Sequence, residues 1–210
     1  MASKDELALN MVMTVLLSPT IFEMKPFSIL RRKFVPSALA GLVGDLGTAI
    51  KVRFRRAPAG TRSGGSVAFY ESVEDTISVN FTDAFSTELK ALVVHEAVHA
   101  LCDKNKYGMD IGASEAMAYI AQCQYAMLRY REVGDRTTRL GGGEFDGVDP
   151  LDAVFARGWE IADRLFSGFE KDELSAFSYH PMRKAIDIHP SYKDGISIPA
   201  IYDGLKRWTK

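Results

Sequence analysis

The chain has 210 residues, of which 47% are hydrophobic and 25% charged, and its formal net charge is −1. This composition is typical of a folded globular domain, excludes a disordered or fibrous chain, and gives no overall bias toward nucleic acid. The length allows one hydrophobic core, so we expect residues 1–210 to form a single domain. The charge is uneven, with ten Lys or Arg against four Asp or Glu in residues 1–66.

The first predicted element is a helix from about Asp5 to Leu17, which Ser18 and Pro19 end. The uncharged stretch LALNMVMTVLLSPTIF has 16 residues, which is short for a membrane span. Asp5 and Glu6 stand where a signal peptide carries positive charge. We therefore expect a core helix, no membrane span, and a cytoplasmic location.

A basic connector, KPFSILRRKFVP, and a short helix at about 37–46 lead to three strand candidates. AIKVRFRR alternates basic with apolar residues, and SVAFYE and DTISVN follow it, so we expect a three-stranded meander. The basic side chains of residues 51–62 raise the hypothesis of a nucleic-acid-binding surface. Alternation on a strand produces the same solvated face without any partner, so nucleic acid is the weaker interpretation.

Helical patterns dominate the rest of the chain. Asp83 or Ser86 can cap a helix that ends near Asp103, and further helices are predicted at about 114–132 and from Pro150 to about 166. Between the last two, residues 134–149 are rich in glycine and charge and predict a flexible loop. The final region, from SYHP onward, predicts irregular structure with a terminal helix.

The two cysteines of the chain are Cys102 and Cys123. Each lies within an apolar helical pattern, which predicts small buried thiols. Two such thiols fit a reducing compartment better than a disulfide framework.

Three polar side chains interrupt the apolar stretch ALVVHEAVHALC. On a helix, His95 and His99 lie one turn apart on the same face, where both rings can reach one metal ion. Glu96 lies beside them and suits a carboxylate that contacts water on that ion. This HExxH spacing predicts a zinc site, because burying three unpartnered polar groups would cost several kcal/mol.

A catalytic zinc site needs a third protein ligand. Asp103 lies two turns from His95, too far along a regular helix to share the ion, and fits better as a partner of an imidazole or of a nearby lysine. Glu115 opens the apolar run EAMAYIAQCQYAML, and the intervening glycines allow this helix to fold back on the first. The alternative for Glu115 is a carboxylate favoured by the dipole at a helix N-terminus.

Residues 66–119 resemble the core of the zincin metallopeptidases, in the gluzincin branch, where a glutamate on the next helix joins the two histidines of HExxH. The resemblance implies an α+β zincin-like single domain with a small antiparallel or mixed sheet before the active-site helix. It implies zinc ligands His95, His99 and Glu115, with Glu96 as general base in the hydrolysis of a peptide or protein substrate. DTISVN occupies the place of the family's edge strand, which binds extended peptide.

Two parts of the family pattern stay open. Gluzincins often carry an acidic residue one turn after the ligand glutamate, and here Tyr119 stands at that position. Family members often stabilise the oxyanion with a His or Tyr, and His180 in SYHP is our preferred candidate among Tyr107, Tyr119, Tyr179, His180 and His189. These departures leave a second hypothesis, an inactive zincin-like module that binds peptide and holds a structural zinc.

Overall fold

The computed structural model describes residues 2–55, 68–83, 86–132, 150–189, 192 and 195–206. Its elements define an α+β architecture, as predicted. The helices are α1 (Lys4–Leu16), α2 (Pro19–Glu23), α3 (Pro36–Gly41), α4 (Thr87–Lys104), α5 (Ile111–Glu132), α6 (Pro150–Ser167) and α7 (Ala176–Asp187). The strands are β1 (Phe27–Ile29), β2 (Arg32–Phe34), β3 (Lys51–Phe54), β4 (Ala68–Glu71) and β5 (Thr76–Val79). The loop predicted at 134–149 lies outside the described residues.

β3, β4 and β5 form a mixed sheet in the order β3-β5-β4. β5 pairs in parallel with β3 and antiparallel with β4, so the predicted meander is wrong. The prediction that DTISVN forms the edge strand is also wrong, because β5 is paired on both sides and buried at every position. A strand without an exposed face belongs in the middle of a sheet, and β4 is the edge strand that packs against α4.

α1 is a core helix with a capped first turn. The Ser3 hydroxyl oxygen accepts the N–H of Glu6 at 3.2 Å, and the Glu6 carboxylate accepts the N–H of Ser3 at 2.6 Å. Ala8 and Val12 are fully buried where α1 packs on β3 and α4. Lys4–Glu23 has the length and apolar composition of a membrane span, a test that the core helices of soluble proteins and N-terminal signal sequences also pass.

The basic connector contains a strand pair that we did not predict. β1 and β2 are antiparallel, with Phe27 opposite Phe34 and the two ring centroids 5.0 Å apart. Both rings are fully buried. Each strand has only three residues, which is too short for an alternating pattern to be recognised in the sequence.

α4 and α5 pack along each other, and α6 packs on α5. Ser86 is the N-cap of α4, where its Oγ accepts the N–H of Leu89 at 3.2 Å, so one of the two predicted caps is confirmed. α6 comes close to α5 at Gly158, where a Cβ atom would lie 2.8 Å from Cys123 Sγ. Cys102 and Cys123 are buried free thiols, as predicted.

Residues 196–206, which we call the C-terminal segment, cross the start of α5 without forming a helix. The carbonyl groups of Ile198 and Ile196 accept the N–H groups of Ile111 and Gly112, each at 3.0 Å. First-turn N–H groups have no partner within their own helix, so this segment caps α5. The terminal helix predicted for the last region is absent from residues 196–206, residues 207–210 lie outside the described residues, and α7 instead covers the start of a region that we predicted to be irregular.

Candidate metal centre

His95, His99 and Glu115 bring three ligand atoms together between α4 and α5. Nε2 of His95 lies 3.2 Å from Nε2 of His99. The carboxylate oxygens of Glu115 lie 3.3 Å from His95 Nε2 and 3.4 Å from His99 Nε2. Ligands bound to one zinc ion at about 2.0 to 2.1 Å in tetrahedral geometry stand about 3.3 Å apart, which matches the separation of the two imidazole nitrogens. Each Glu115 oxygen lies at a similar distance from one of the two rings.

Helix register and burial direct these side chains toward one another. His95 and His99 are one turn apart on α4 and are 5% and 9% exposed. Glu115 follows the first turn of α5, where the Asp110 carboxylate accepts the N–H of Ala113 at 2.8 Å. Oε2 of Glu115 is buried and has no hydrogen-bond partner among the described residues. A buried, unpartnered carboxylate oxygen beside two imidazoles fits a cation better than it fits a simple helix-terminal charge.

Each histidine has a partner on its other ring nitrogen. Nδ1 of His95 lies 3.0 Å from Oε1 of Gln122. Because an amide oxygen only accepts, this contact places a proton on Nδ1 and leaves Nε2 facing the cluster. Nδ1 of His99 lies 2.9 Å from Ser114 Oγ and 3.0 Å from the Tyr202 hydroxyl, and these two hydroxyls also contact each other.

We expect Gln122→Ala to weaken zinc affinity by about 10- to 100-fold, because the His95 ring loses the acceptor that holds it. Gln124→Ala is the matched control, since Gln124 lies on the same helix and bonds to the backbone of Lys25. A competition titration with a chromophoric chelator measures both affinities. Equal zinc affinity in the two variants would contradict the orienting role of Gln122.

The structure does not place Asp103 against an imidazole, nor His180, our preferred oxyanion donor, at the cluster. Asp103 is fully buried, but it accepts hydrogen bonds from the Tyr70 hydroxyl and from the N–H of Gly204, each at 2.8 Å. The structure therefore gives Asp103 other partners than a histidine ring. His180 is exposed on α7 and does not line the cavity described below, so the structure does not place it at the cluster.

Tyrosines contribute more to this region than the sequence indicated. Tyr119 packs edge-on against the His95 ring, with the centroids 4.5 Å apart. Its hydroxyl lies 3.1 Å from that of Tyr192, which in turn lies beside the Glu115 carboxylate. Tyr192 and Tyr202 lie far along the chain from α4 and α5, outside both helices. Residue spacing along a helix therefore cannot relate them to the cluster. No local sequence signal could have identified them.

A cavity of about 480 Å³ adjoins the cluster, and this volume lies in the usual range of ligand sites. β4 forms one wall, with Ala68, Phe69 and Tyr70. The C-terminal segment forms another wall, from Ile198 to Tyr202. Glu96 and the three clustered side chains lie between these walls, so a molecule in the cavity would contact all four.

Burial sets the protonation of the clustered groups. It raises the pKa of Glu96 to about 7, while the N–H of Tyr70, which donates to the carboxylate, opposes that rise. Burial lowers the pKa of His99 to about 4. Burial alone would raise the pKa of Glu115, but His99 and His95 outweigh it and hold that pKa below its usual value. At neutral pH His99 is therefore a neutral imidazole and Glu115 an ionised carboxylate, both donors suited to zinc. At His95, burial lowers the pKa, but Glu115 and Glu96 outweigh burial and raise it.

We expect Glu96→Gln to stabilise the metal-free protein at pH 8 by on the order of a few kcal/mol. The folded protein keeps the Glu96 proton up to about pH 7, whereas the unfolded chain releases it near the ordinary pKa of 4.5. The contribution of the protonated Glu96 carboxyl to the free energy of unfolding is therefore fully present below pH 4.5 and is lost as the pH rises through 7.

Urea unfolding in a chelator at pH 4.5 and pH 8 measures this difference. Glu132→Gln, at an exposed position on α5, is the control and should show no such pH-dependent gain. Added zinc should reduce the gain, because a nearby cation favours the carboxylate. A gain of equal size at both pH values would contradict a buried, titrating Glu96.

The predicted basic surface at 51–62 is partly neutralised where the structure describes it. Arg53 pairs with Asp5 at 2.8 Å, and Arg55 pairs with Glu71 at 3.2 Å. These ion pairs reduce the positive charge that the strand offers to a phosphate backbone. The other arginines of this surface lie outside the described residues.

Comparisons of the chain with protein-family models, with curated proteins and with solved structures find no match. The function must therefore be argued from the site itself. Three features carry that argument: the spacing of the ligand atoms, the adjacent carboxylate of Glu96, and the cavity between β4 and the C-terminal segment.

Proposed function

We propose that the protein is a zinc-dependent metallopeptidase of the zincin superfamily, similar to the gluzincin branch. The observation that carries this proposal is the cluster of His95, His99 and Glu115, with ligand atoms at tetrahedral spacing beside Glu96. Zinc held by these three residues would polarise the scissile carbonyl and lower the pKa of a water molecule. The substrate class is a peptide or protein in extended conformation.

Glu96 is the general base of the proposed reaction. It follows His95 on α4 and lines the cavity beside the three clustered side chains. Bound zinc would favour its ionised form, and a carboxylate within reach of the attacking water can accept a proton and return it. Glu96 takes a proton from the attacking water and passes it to the nitrogen of the leaving amine.

The outer edge of β4 supports the binding of an extended peptide. The backbone carbonyl groups of Asp75 and Val79 point toward β3. Backbone groups alternate in direction along a strand, so those of Ser78 point toward β4, where Ser78 pairs with Phe69. Tyr70, the next residue, therefore directs its backbone away from β5, consistent with its N–H bond to the general base. A peptide lying along this edge would pass the metal cluster.

Two tyrosine hydroxyls reach the cluster from the C-terminal part of the chain. The hydroxyl of Tyr202 is engaged with His99, whereas Tyr192 lies beside Glu115 and lines the cavity. An oxyanion that develops at the cluster needs a nearby donor. We assign this role to Tyr192, in place of His180.

A binding module with structural zinc is the other interpretation of the same cluster. A structural zinc site is closed by a fourth protein ligand, whereas a catalytic site keeps one position open. The described residues offer three ligands, and a cavity adjoins them. Both observations favour catalysis over a closed structural site.

The proposed function is tested by measuring both the zinc content and the peptidase activity of the full chain. We expect zinc in equimolar amount, and cleavage of an unfolded protein such as casein that stops with a chelator and returns with added zinc. Failure to bind zinc would overturn the metal site. Tight zinc binding without cleavage of a broad peptide mixture would support the binding module instead.

A further inference from the structure

Two carboxylates with no exposed surface lie beside the cavity, at Asp75 and Asp103. Neither forms an ion pair with a described residue, although burying an unpaired carboxylate is expensive. Each accepts hydrogen bonds instead. One oxygen of Asp103 accepts the Tyr70 hydroxyl at 2.8 Å, and one oxygen of Asp75 lies 3.4 Å from that same hydroxyl. Burial raises the pKa of Tyr70, so its hydroxyl stays a donor at neutral pH.

The second oxygen of each carboxylate binds the C-terminal segment. Oδ1 of Asp103 accepts the N–H of Gly204 at 2.8 Å, and Oδ2 of Asp75 accepts the N–H of Lys206 at 3.0 Å. The carboxylate pair thus joins two parts of the chain that are distant in sequence. One is β4, through Tyr70, and the other is the segment that forms another wall of the cavity.

Both joined parts hold groups of the metal centre. Tyr70 donates its backbone N–H to Glu96, the base of the proposed reaction. Tyr202, two residues before Gly204, contacts Nδ1 of His99 at 3.0 Å. Displacement of either wall would therefore move a group that contacts the base or a metal ligand. β4 has only four residues and the segment is not helical, so neither wall has an extensive backbone ladder of its own.

We propose that Asp75 and Asp103 are positioning residues that fasten the two walls of the cavity to each other and so keep Glu96 and His99 in their working orientation. The effect on Glu96 rests on the proposed peptidase function, whereas the fastening itself does not. The cost of two buried carboxylates is then offset by three donors, which are the Tyr70 hydroxyl and the backbone N–H groups of Gly204 and Lys206.

Tyr70→Phe tests the fastening while the ring and the backbone N–H are kept. Its control is Tyr130→Phe, which likewise removes a tyrosine hydroxyl from a carboxylate, that of Glu88, away from the cavity. Lys206→Pro is a second variant, because proline removes the N–H that Asp75 accepts. It is compared with Lys206→Ala, which loses the same side-chain contacts to Val73 and Asp203 but keeps the N–H. Amide hydrogen exchange measures the segment directly, and kcat, KM and zinc stoichiometry measure the site.

In Tyr70→Phe we expect exchange at the amides of Gly204 and Lys206 to accelerate about tenfold or more, as loss of a charge-assisted hydrogen bond implies. We expect kcat to fall about tenfold or more, KM to change less than about threefold, and zinc stoichiometry to stay the same. Lys206→Pro should lower kcat in the same way and accelerate exchange at Gly204. Tyr130→Phe should do neither.

Unchanged exchange in Tyr70→Phe would overturn the fastening. Accelerated exchange with unchanged kcat would overturn the positioning role, because the two walls would then be released from each other with no effect on the reaction. If the native protein cleaves nothing, faster exchange together with faster release of zinc to a chelator would still support the fastening and the hold on His99. That result would reject only the peptidase function.

Discussion

Glu96→Gln is expected to keep zinc and to lose about 10²- to 10⁴-fold in kcat, the usual contribution of a positioned general base. The amide has nearly the same shape, and its oxygen can still accept the N–H of Tyr70. It cannot take a proton from water at neutral pH, so only the proton transfer is removed. The measurement is steady-state hydrolysis of a fluorogenic peptide, with the zinc content determined on the same sample.

Glu132→Gln is the control for this change, since it alters an exposed carboxyl on α5 away from the cavity. It should leave kcat and zinc content as they are. If Glu96→Gln hydrolyses the peptide at a rate near that of the control, the role of Glu96 as general base is contradicted. Loss of zinc together with loss of activity would instead move Glu96 into the set of residues that hold the metal.

Glu115→Ala is expected to weaken zinc affinity by more than about 100-fold, which exceeds the loss expected for a residue that only orients a ligand. The change removes the carboxylate that approaches both histidines, at 3.3 Å and 3.4 Å. It also removes the stabilisation that bound metal gives the folded state. Zinc titration, and the shift in Tm on adding zinc, measure the two effects independently.

Glu132→Ala supplies the matched control on the same helix and should bind zinc as the native protein does. If Glu115 were only a carboxylate favoured by the helix dipole, its loss would cost about 0.3 to 1 kcal/mol of stability and no zinc affinity. Undiminished zinc affinity in Glu115→Ala would therefore remove Glu115 from the ligand set and reopen the choice of zincin branch.

The cluster was predictable because it depends on helical spacing alone. A histidine pair at i and i+4 must share a face, and a helix that folds back can bring Glu115 to that face. Gln122 follows the same rule, since it lies two turns after Glu115 on the same side of α5. The family pattern concerns the position one turn after Glu115, which holds Tyr119, whereas the partner of His95 lies about one turn further along α5.

The rest of the site depends on long-range contacts that no local pattern encodes. The contact from Tyr202 to His99 joins the C-terminal segment to α4, and the contact from Asp103 to Tyr70 joins α4 to β4. The strand order likewise depends on packing, because alternation identifies a strand without stating its neighbours. Spacing therefore predicted which side chains meet within the helix pair, whereas it did not predict the strand order, and it did not identify the tyrosines that lie at the cluster.

The residues of the metal centre are made at different times. α4 and α5 are consecutive, so His95, His99 and Glu115 meet as soon as that helix pair forms on a growing chain. The C-terminal segment, with Tyr202, leaves the ribosome after all of them, and domains fold as the chain emerges. If the proposed zinc site and peptidase function hold, a nascent chain would be able to bind zinc before its second cavity wall exists. Zinc binding and the onset of cleavage would then be successive stages in the maturation of each molecule.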